Sequence, residues 1–177
     1  MFQINTPNLT LRELSDADAE LILLLLNDAD FLRNIGDRGV RNLKQARDYI
    51  QTGPMIMYRQ HQFGLFKVAL TDGTGIGICG LIKRDSLDDA DIGFAFLPEY
   101  RGKGYALEAA RAVMVFAREQ LNLKRIVAIT QPENLASVKL LEKIGLKIER
   151  RITLPGETIE LLLMAWEASS SANSQGL

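Results

Sequence analysis

The sequence predicts a mixed α/β domain whose sheet is largely antiparallel, and three features carry that expectation. Residues 62–70 and 75–83 are strand-like runs on either side of Thr-Asp-Gly-Thr, a turn signal for an antiparallel hairpin. Residues 146–154 and 158–166 flank Pro155-Gly156 and read as a second, terminal hairpin. Between the hairpins, strands at 92–97 and 125–130 each run into a helix, so helices must cover the sheet.

In chain order, Leu9 to Glu13 alternates apolar and polar residues as a half-buried strand does. Ser15 and Asp16 offer an N-cap for a helix reaching about Asn27, and a second helix spans Leu43 to Gln51, ended by Gly53-Pro54. After the first hairpin, the aspartate-rich segment 85–91 is a polar turn into the strand at 92–97. Ala106, Ala109, Ala110, Val113, Met114 and Ala117 then recur at helical spacing, a face to pack on the sheet. The second strand and helix unit runs from Ile126 to Ile144 and leads into the terminal hairpin. Residues 1–167 are expected to form a single domain, and 168–177, rich in Ser with Asn, Gln and Gly, a flexible tail.

At 177 residues the chain suits one domain with a sizeable core, and 24% charged with 47% hydrophobic residues argues against disorder. The longest aliphatic run, Leu21 to Leu26, is far short of the roughly 20 residues that cross a bilayer. The start of the chain has no secretory pattern and Cys79 is the single cysteine, so a cytoplasmic setting without disulfides is expected. A net charge of −1 gives no broad basic surface, which argues against nucleic acid as a partner, and nothing suggests a membrane partner. His61 is the lone histidine, expected as a surface residue at a strand end, and no spaced ligands accompany it, so no metal is expected. Cys79, in an apolar strand, reads as buried and inert.

Chemistry concentrates where the strand at 92–97 ends at Pro98 and crosses a glycine-rich turn into a helix. Gly102 and Gly104 let backbone approach an anion closely, and the helix offers its unpaired first-turn N–H groups. The competing reading is a tight turn and nothing more. A P-loop is excluded because Gly102-Lys103 is followed by Gly104 rather than Ser or Thr, and a dinucleotide fingerprint because Leu107 occupies its third small position.

The remaining pattern, Arg101-Gly-Lys-Gly104-Tyr-Ala106, resembles the acetyl-CoA pyrophosphate loop of the GNAT acetyltransferases. A second segment, Asn134-Leu-Ala-Ser137-Val-Lys-Leu-Leu-Glu-Lys-Ile-Gly145, is similar to that of the RimJ/RimL branch, which acetylates ribosomal proteins. Leu146 replaces the usual aromatic, and Asp91 stands where many relatives carry Glu. The resemblance implies a mostly antiparallel central sheet of about seven strands flanked by about four helices, in the layered manner of α/β domains.

It also implies acetyl-CoA as cofactor, transfer of its acetyl group to a primary amine, and a protein N-terminus or small amine as partner, in a monomer or homodimer. The backbone of Gly102 to Ala106 would cradle the pyrophosphate, with Arg101 and Lys103 adding positive charge and Tyr105, in the same loop, as readily a packing residue. Phe94, Ala95, Phe96 and Leu97 would pair with the pantetheine amides as an added strand does. Asn134 would bind pantetheine or order the acceptor, though it is equally an N-cap, and Ser137 would donate to the oxyanion or thiolate, though its hydroxyl could bond locally. Asp91 would take the amine's proton through a water, or else be a solvated member of the acidic turn. Phe31, Arg33, Asp37 and Arg38 are candidates for the acceptor's path, and each could equally be a surface or packing residue. A rival of another class is a non-catalytic acyl-CoA sensor, which would keep the loop and Asn134 without depending on Asp91.

Overall fold

The computed structural model describes residues 2–169, so the expected tail lies, from residue 170 on, outside the described residues. An eight-stranded sheet forms the frame, in the order β1 (Gln3–Asn5), β2 (Leu9–Glu13), β3 (Leu65–Leu70), β4 (Gly75–Ile82), β5 (Asp91–Phe96), β6 (Arg125–Thr130), β8 (Glu160–Glu167), β7 (Lys147–Thr153). All neighbours are antiparallel except β5 and β6, which are parallel. Six α-helices accompany it among the described residues: α1 (Ala19–Leu26), α2 (Ala29–Asn34), α3 (Leu43–Thr52), α4 (Pro54–His61), α5 (Tyr105–Glu119) and α6 (Leu135–Lys143).

Both hairpins form where the turn chemistry put them. Three elements were not foreseen. β1 is only Gln-Ile-Asn, too short to show alternation, and is held by pairing with Thr10 to Arg12. α2 is capped by Asp28, whose side chain accepts from the N–H groups of Asp30 and Phe31. α4 begins at Pro54, because proline fits the first helical position, where no intrahelical N–H bond is needed.

Gly53-Pro54 therefore ends α3 and starts α4, which corrects the strand expected from Gln62. That residue instead closes α4 in a left-handed conformation (φ 62°), and β3 begins at Leu65. His61 is accordingly the last residue of a helix, stacked on Phe63 at 5.4 Å, and not at a strand end. Tyr58 anchors α4 to the sheet: its hydroxyl accepts the Leu14 N–H at 3.0 Å and donates to the Leu65 carbonyl.

The apolar residues sort onto the two faces of the sheet. Ala109, Ala110, Val113, Met114, Phe116 and Ala117 of α5 are buried with Phe66, Val68, Ile92 and Phe96, together with Leu141 of α6. On the other face, Ile22, Leu25 and Leu26 of α1, Phe31 of α2, and Ala46 and Ile50 of α3 pack with Ile78 and near Ala95 and Leu97. Each fully buried aliphatic contributes about 1.5–3 kcal/mol, enough to hold both helix layers against the strand that carries the site. Cys79 is fully buried, and burial pushes its thiol up, as an inert core cysteine requires.

Candidate active site

A fork in the sheet creates the site. β5 and β6 pair at Asp91 with Val127, where the Val127 N–H reaches the Ala90 carbonyl at 2.9 Å, and no pairing continues beyond that point. β5 meanwhile stays paired with β4 along its whole length. Opposed residues of an antiparallel ladder alternate between bonded and unbonded pairs. The Leu97 N–H bonds the Ile76 carbonyl at 2.9 Å, so Ala95 and Gly93 also turn their backbone groups to β4. Phe94 and Phe96 turn theirs into the opening. The Phe96 carbonyl is already taken by Arg101 Nε at 2.9 Å, which leaves the N–H and C=O of Phe94 and the N–H of Phe96 on a free strand edge.

The turn after β5 presents a row of donors. Gly102 (φ 69°) and Gly104 (φ 86°) adopt left-handed conformations that favour glycine, and Gly104 is the N-cap of α5. Glu108 is the first residue whose N–H bonds into this helix, to the Gly104 carbonyl at 3.0 Å. Among the described residues, the N–H groups of 102 to 107 have no acceptor in the protein, and the positive end of the helix dipole points the same way. Lys103 lies exposed over the Tyr100 ring (5.7 Å) with no ion pair among the described residues, while Tyr105 packs against the core. Arg101 is different: its guanidinium is bound by Asp28 and Asp30 at the start of α2. Its charge is thus neutralised by the carboxylates at the start of α2, leaving Lys103 as the loop's available cation.

Across the fork, α6 starts at Asn134. Its side chain accepts the Ser137 N–H at 3.3 Å, so the capping role expected for Asn134 is realised. The Ser137 hydroxyl, half-buried in the first turn, makes no hydrogen bond among the described residues, so the local bond considered for it does not form. Gln131, just past β6, donates to the Arg33 carbonyl at 3.1 Å. With Arg101 on one side and Gln131 on the other, α2 is tied to both sides of the opening.

Asp91 sits at the apex and is 2% exposed, which overturns its reading as a solvated turn residue. Arg84 Nε donates to it at 2.6 Å. Burial raises its carboxyl to about 6, against the opposing Arg84 charge and hydrogen bond and the Ile129 N–H. Sealed as it is, such a carboxyl could exchange a proton with a group in the opening only by way of a water.

The four residues named for the acceptor's path do not converge. Phe31 is a core residue, 7% exposed, and its ring packs under α1 and α3, so it is no lining residue. Arg33 pairs with Asp30, and Asp37 with Arg41, both on the surface. Arg38 is exposed with no ion pair among the described residues. Sequence reasoning missed Arg84, Gln131 and the carboxylates Asp28 and Asp30. Only Asp28 carried a local signal, as an N-cap residue.

No helix among the described residues is long and apolar enough to cross a membrane, and no cluster of metal-binding side chains occurs among them. Residues 8–147 match the acetyltransferase (GNAT) domain family. The chain is 31% identical over 147 residues to YnaD, an uncharacterized N-acetyltransferase of Bacillus subtilis (strain 168), covering 82% of this chain and 83% of that protein. It is 30% identical over 79 residues to spermidine N(1)-acetyltransferase of Escherichia coli (strain K12), 44% of this chain and 42% of the relative. The fold is shared with RimL, a ribosomal α-N-protein acetyltransferase solved with coenzyme A, at a TM-score of 0.81 and 16% identity over 94% of this chain and 98% of that one. The forked sheet, the donor row before α5 and a family match over most of its length together make this chain a member of the GNAT acetyltransferase family.

Proposed function

We propose that this protein transfers an acetyl group from acetyl-CoA to the N-terminal α-amine of a protein or peptide. The observation that carries the reading is the fork: a free edge on β5 flanked by the unpaired N–H groups of residues 102 to 107. A diphosphate suits that row of donors, with Lys103 adding charge, and an amide-bearing chain suits the edge at Phe94 and Phe96. Acetyl-CoA supplies the thioester, a linear arrangement of these groups, and an activated carbonyl.

The chain's own residues then have separable tasks. Phe94 and Phe96 hold the donor along the strand, which fixes the carbonyl against the apex of the fork. Ser137 offers its free hydroxyl to the oxygen or sulfur that gains negative charge as the C–N bond forms and the C–S bond breaks. Asp91 receives the amine's proton by way of a water, the departing thiolate takes up a proton from solvent, and the products are an N-acetylated acceptor and a free thiol. Direct attack in a ternary complex needs no covalent enzyme intermediate, consistent with the burial of Cys79.

The test is competition. Purified protein is given acetyl-CoA and an equimolar mixture of short peptides with free N-termini and spermidine, and the products are resolved by mass spectrometry. Acetylation of peptide α-amines supports the proposal. Acetylation of spermidine alone would move the acceptor to a small polyamine, and acetyl-CoA binding without transfer to any amine would favour the sensor.

A further inference from the structure

We propose that Arg84 is a specificity-determining residue that reads an oxygen of the acceptor next to its reacting amine, so that the favoured acceptors are α-aminoacyl compounds. This rests on the acetyltransferase reading above and extends it to the substrate's chemistry. Arg84 lies two residues past the end of β4 and places its Nε on Asp91, the residue at which β5 and β6 part. It therefore stands at the apex of the fork.

What sets it apart is the rest of its guanidinium. Arg12, Arg101 and Arg125 have side chains of comparable exposure, at 25%, 35% and 25%. Each engages both terminal nitrogens: Arg12 on Asp18, Arg101 on Asp28 and Asp30, Arg125 on Glu149 and Glu167. Arg84, at 27%, uses Nε alone, and its two terminal nitrogens have no partner among the described residues. A partly buried guanidinium held by one edge presents the other as a fork for a carbonyl or carboxylate. Asp91, almost fully buried, fixes the orientation of that fork.

The surrounding charge agrees. Tyr49 of α3 packs on this face of the sheet, and burial raises its phenol while the charges of Arg38 and Arg84 pull it down, so both guanidinium groups lie near it. Arg38 has no ion pair among the described residues. The positive charge of Arg84 beside its open edge disfavours an ammonium there and favours an oxygen. In an α-aminoacyl compound the carbonyl oxygen sits three bonds from the amine nitrogen, close enough for the oxygen to be held at Arg84 while the amine lies toward the water at the adjoining Asp91. A polyamine has no such oxygen.

The experiment compares alanyl-alanine amide, free alanine and propylamine as acceptors at pH 9 for the wild type, Arg84→Gln and Arg84→Lys, with propylamine reporting any change that acts through Asp91. Arg84→Gln is expected to lower kcat/KM for the two alanine acceptors about 10- to 100-fold, mainly through KM, the size of one lost charge-assisted hydrogen bond. Any loss through Asp91 is shared by propylamine, so the ratio of alanine to propylamine kcat/KM should carry that fall of about 10- to 100-fold, with acetyl-CoA affinity unchanged. Arg84→Lys, which keeps the charge and loses the fork, should fall between, and guards against an unfolded Gln variant. The dipeptide and free amino acid arms separate a carbonyl from a carboxylate as the group read. Equal losses on all three acceptors, or none, would overturn the assignment while leaving the transferase standing. Absence of wild-type transfer to every acceptor would overturn the transferase reading and this one with it.

Discussion

Replacing Gly104 by alanine should weaken acetyl-CoA binding far more than it weakens the fold. Gly104 has φ +86°, and a Cβ built on it meets no atom within 4 Å, so the cost to the free protein is backbone strain without a clash. That strain is about 1 kcal/mol for an L residue in the left-handed region, and Tm should fall by about 2–4 °C in a chain of this size. The ligand faces a different penalty, because the methyl adds bulk on a residue in the middle of the row of N–H groups from 102 to 107. Displacing a phosphate there weakens one or two hydrogen bonds to a charged group, at about 1.5–3 kcal/mol each, or at least about tenfold in affinity. Gly73 provides the control: it has φ +92°, also meets nothing within 4 Å, and lies in the turn between β3 and β4, away from the fork. Thermal denaturation and calorimetric titration with acetyl-CoA should show matching Tm losses for Gly104→Ala and Gly73→Ala, with affinity lost only in the first. Matching affinities would refute the assignment of this loop to the phosphates.

Four further outcomes are expected. Ser137→Ala should reduce kcat by about tenfold or more with unchanged acetyl-CoA affinity and little change in Tm, since the hydroxyl makes no bond within the described protein; steady-state kinetics with wild-type kcat would leave it a helix-start residue. For the wild type, kcat/KM should fall about tenfold per unit below pH 6, because only ionised Asp91 accepts a proton and burial holds its carboxyl at about 6. Asp91→Asn should lose activity most near neutral pH and approach the wild type at high pH, where bulk water deprotonates the amine; superimposable pH profiles would remove Asp91 from the chemistry. Asp18 is buried, yet hydrogen bonds from Arg12 and the Ser15 N–H and the nearby Lys67 charge overcome that burial and hold its carboxyl down to about 2. Its stabilisation, about 2 kcal/mol, is present above pH 4 and vanishes as pH falls through 2, so the urea-melt difference between wild type and Asp18→Asn should shrink over that window. A pH-independent difference would contradict it.

Much of the frame was legible because its signals are local. Thr-Asp-Gly-Thr and Pro155-Gly156 name their hairpins, the apolar period of α5 names its buried face, and Gly102 and Gly104 announce a left-handed turn before a helix. Short α2 and α4 were not legible: neither is long enough to show a period, and Gly53-Pro54 serves as stop and start together. The site's charge arrangement was hidden for another reason. Arg101 reads as a phosphate cation from its motif, but its partners Asp30 and Asp28 lie 71 and 73 residues away in sequence, and Gln131 meets Arg33 across 98. Asp91 closes an acidic run and so reads equally as solvated, and only the pairing of β4, β5 and β6 buries it. The free edge of Arg84 emerges from contacts it does not make, which no local pattern encodes.

Free-thiol release from acetyl-CoA, followed with and without a peptide bearing a free α-amine, separates an amine acetyltransferase from a protein that only binds the thioester. The fork and its donor row predict release that depends on both protein and amine, saturates with acetyl-CoA and yields one acetylated amine per thiol. Release at the same rate with and without amine, or no release from a protein that remains folded, would contradict it.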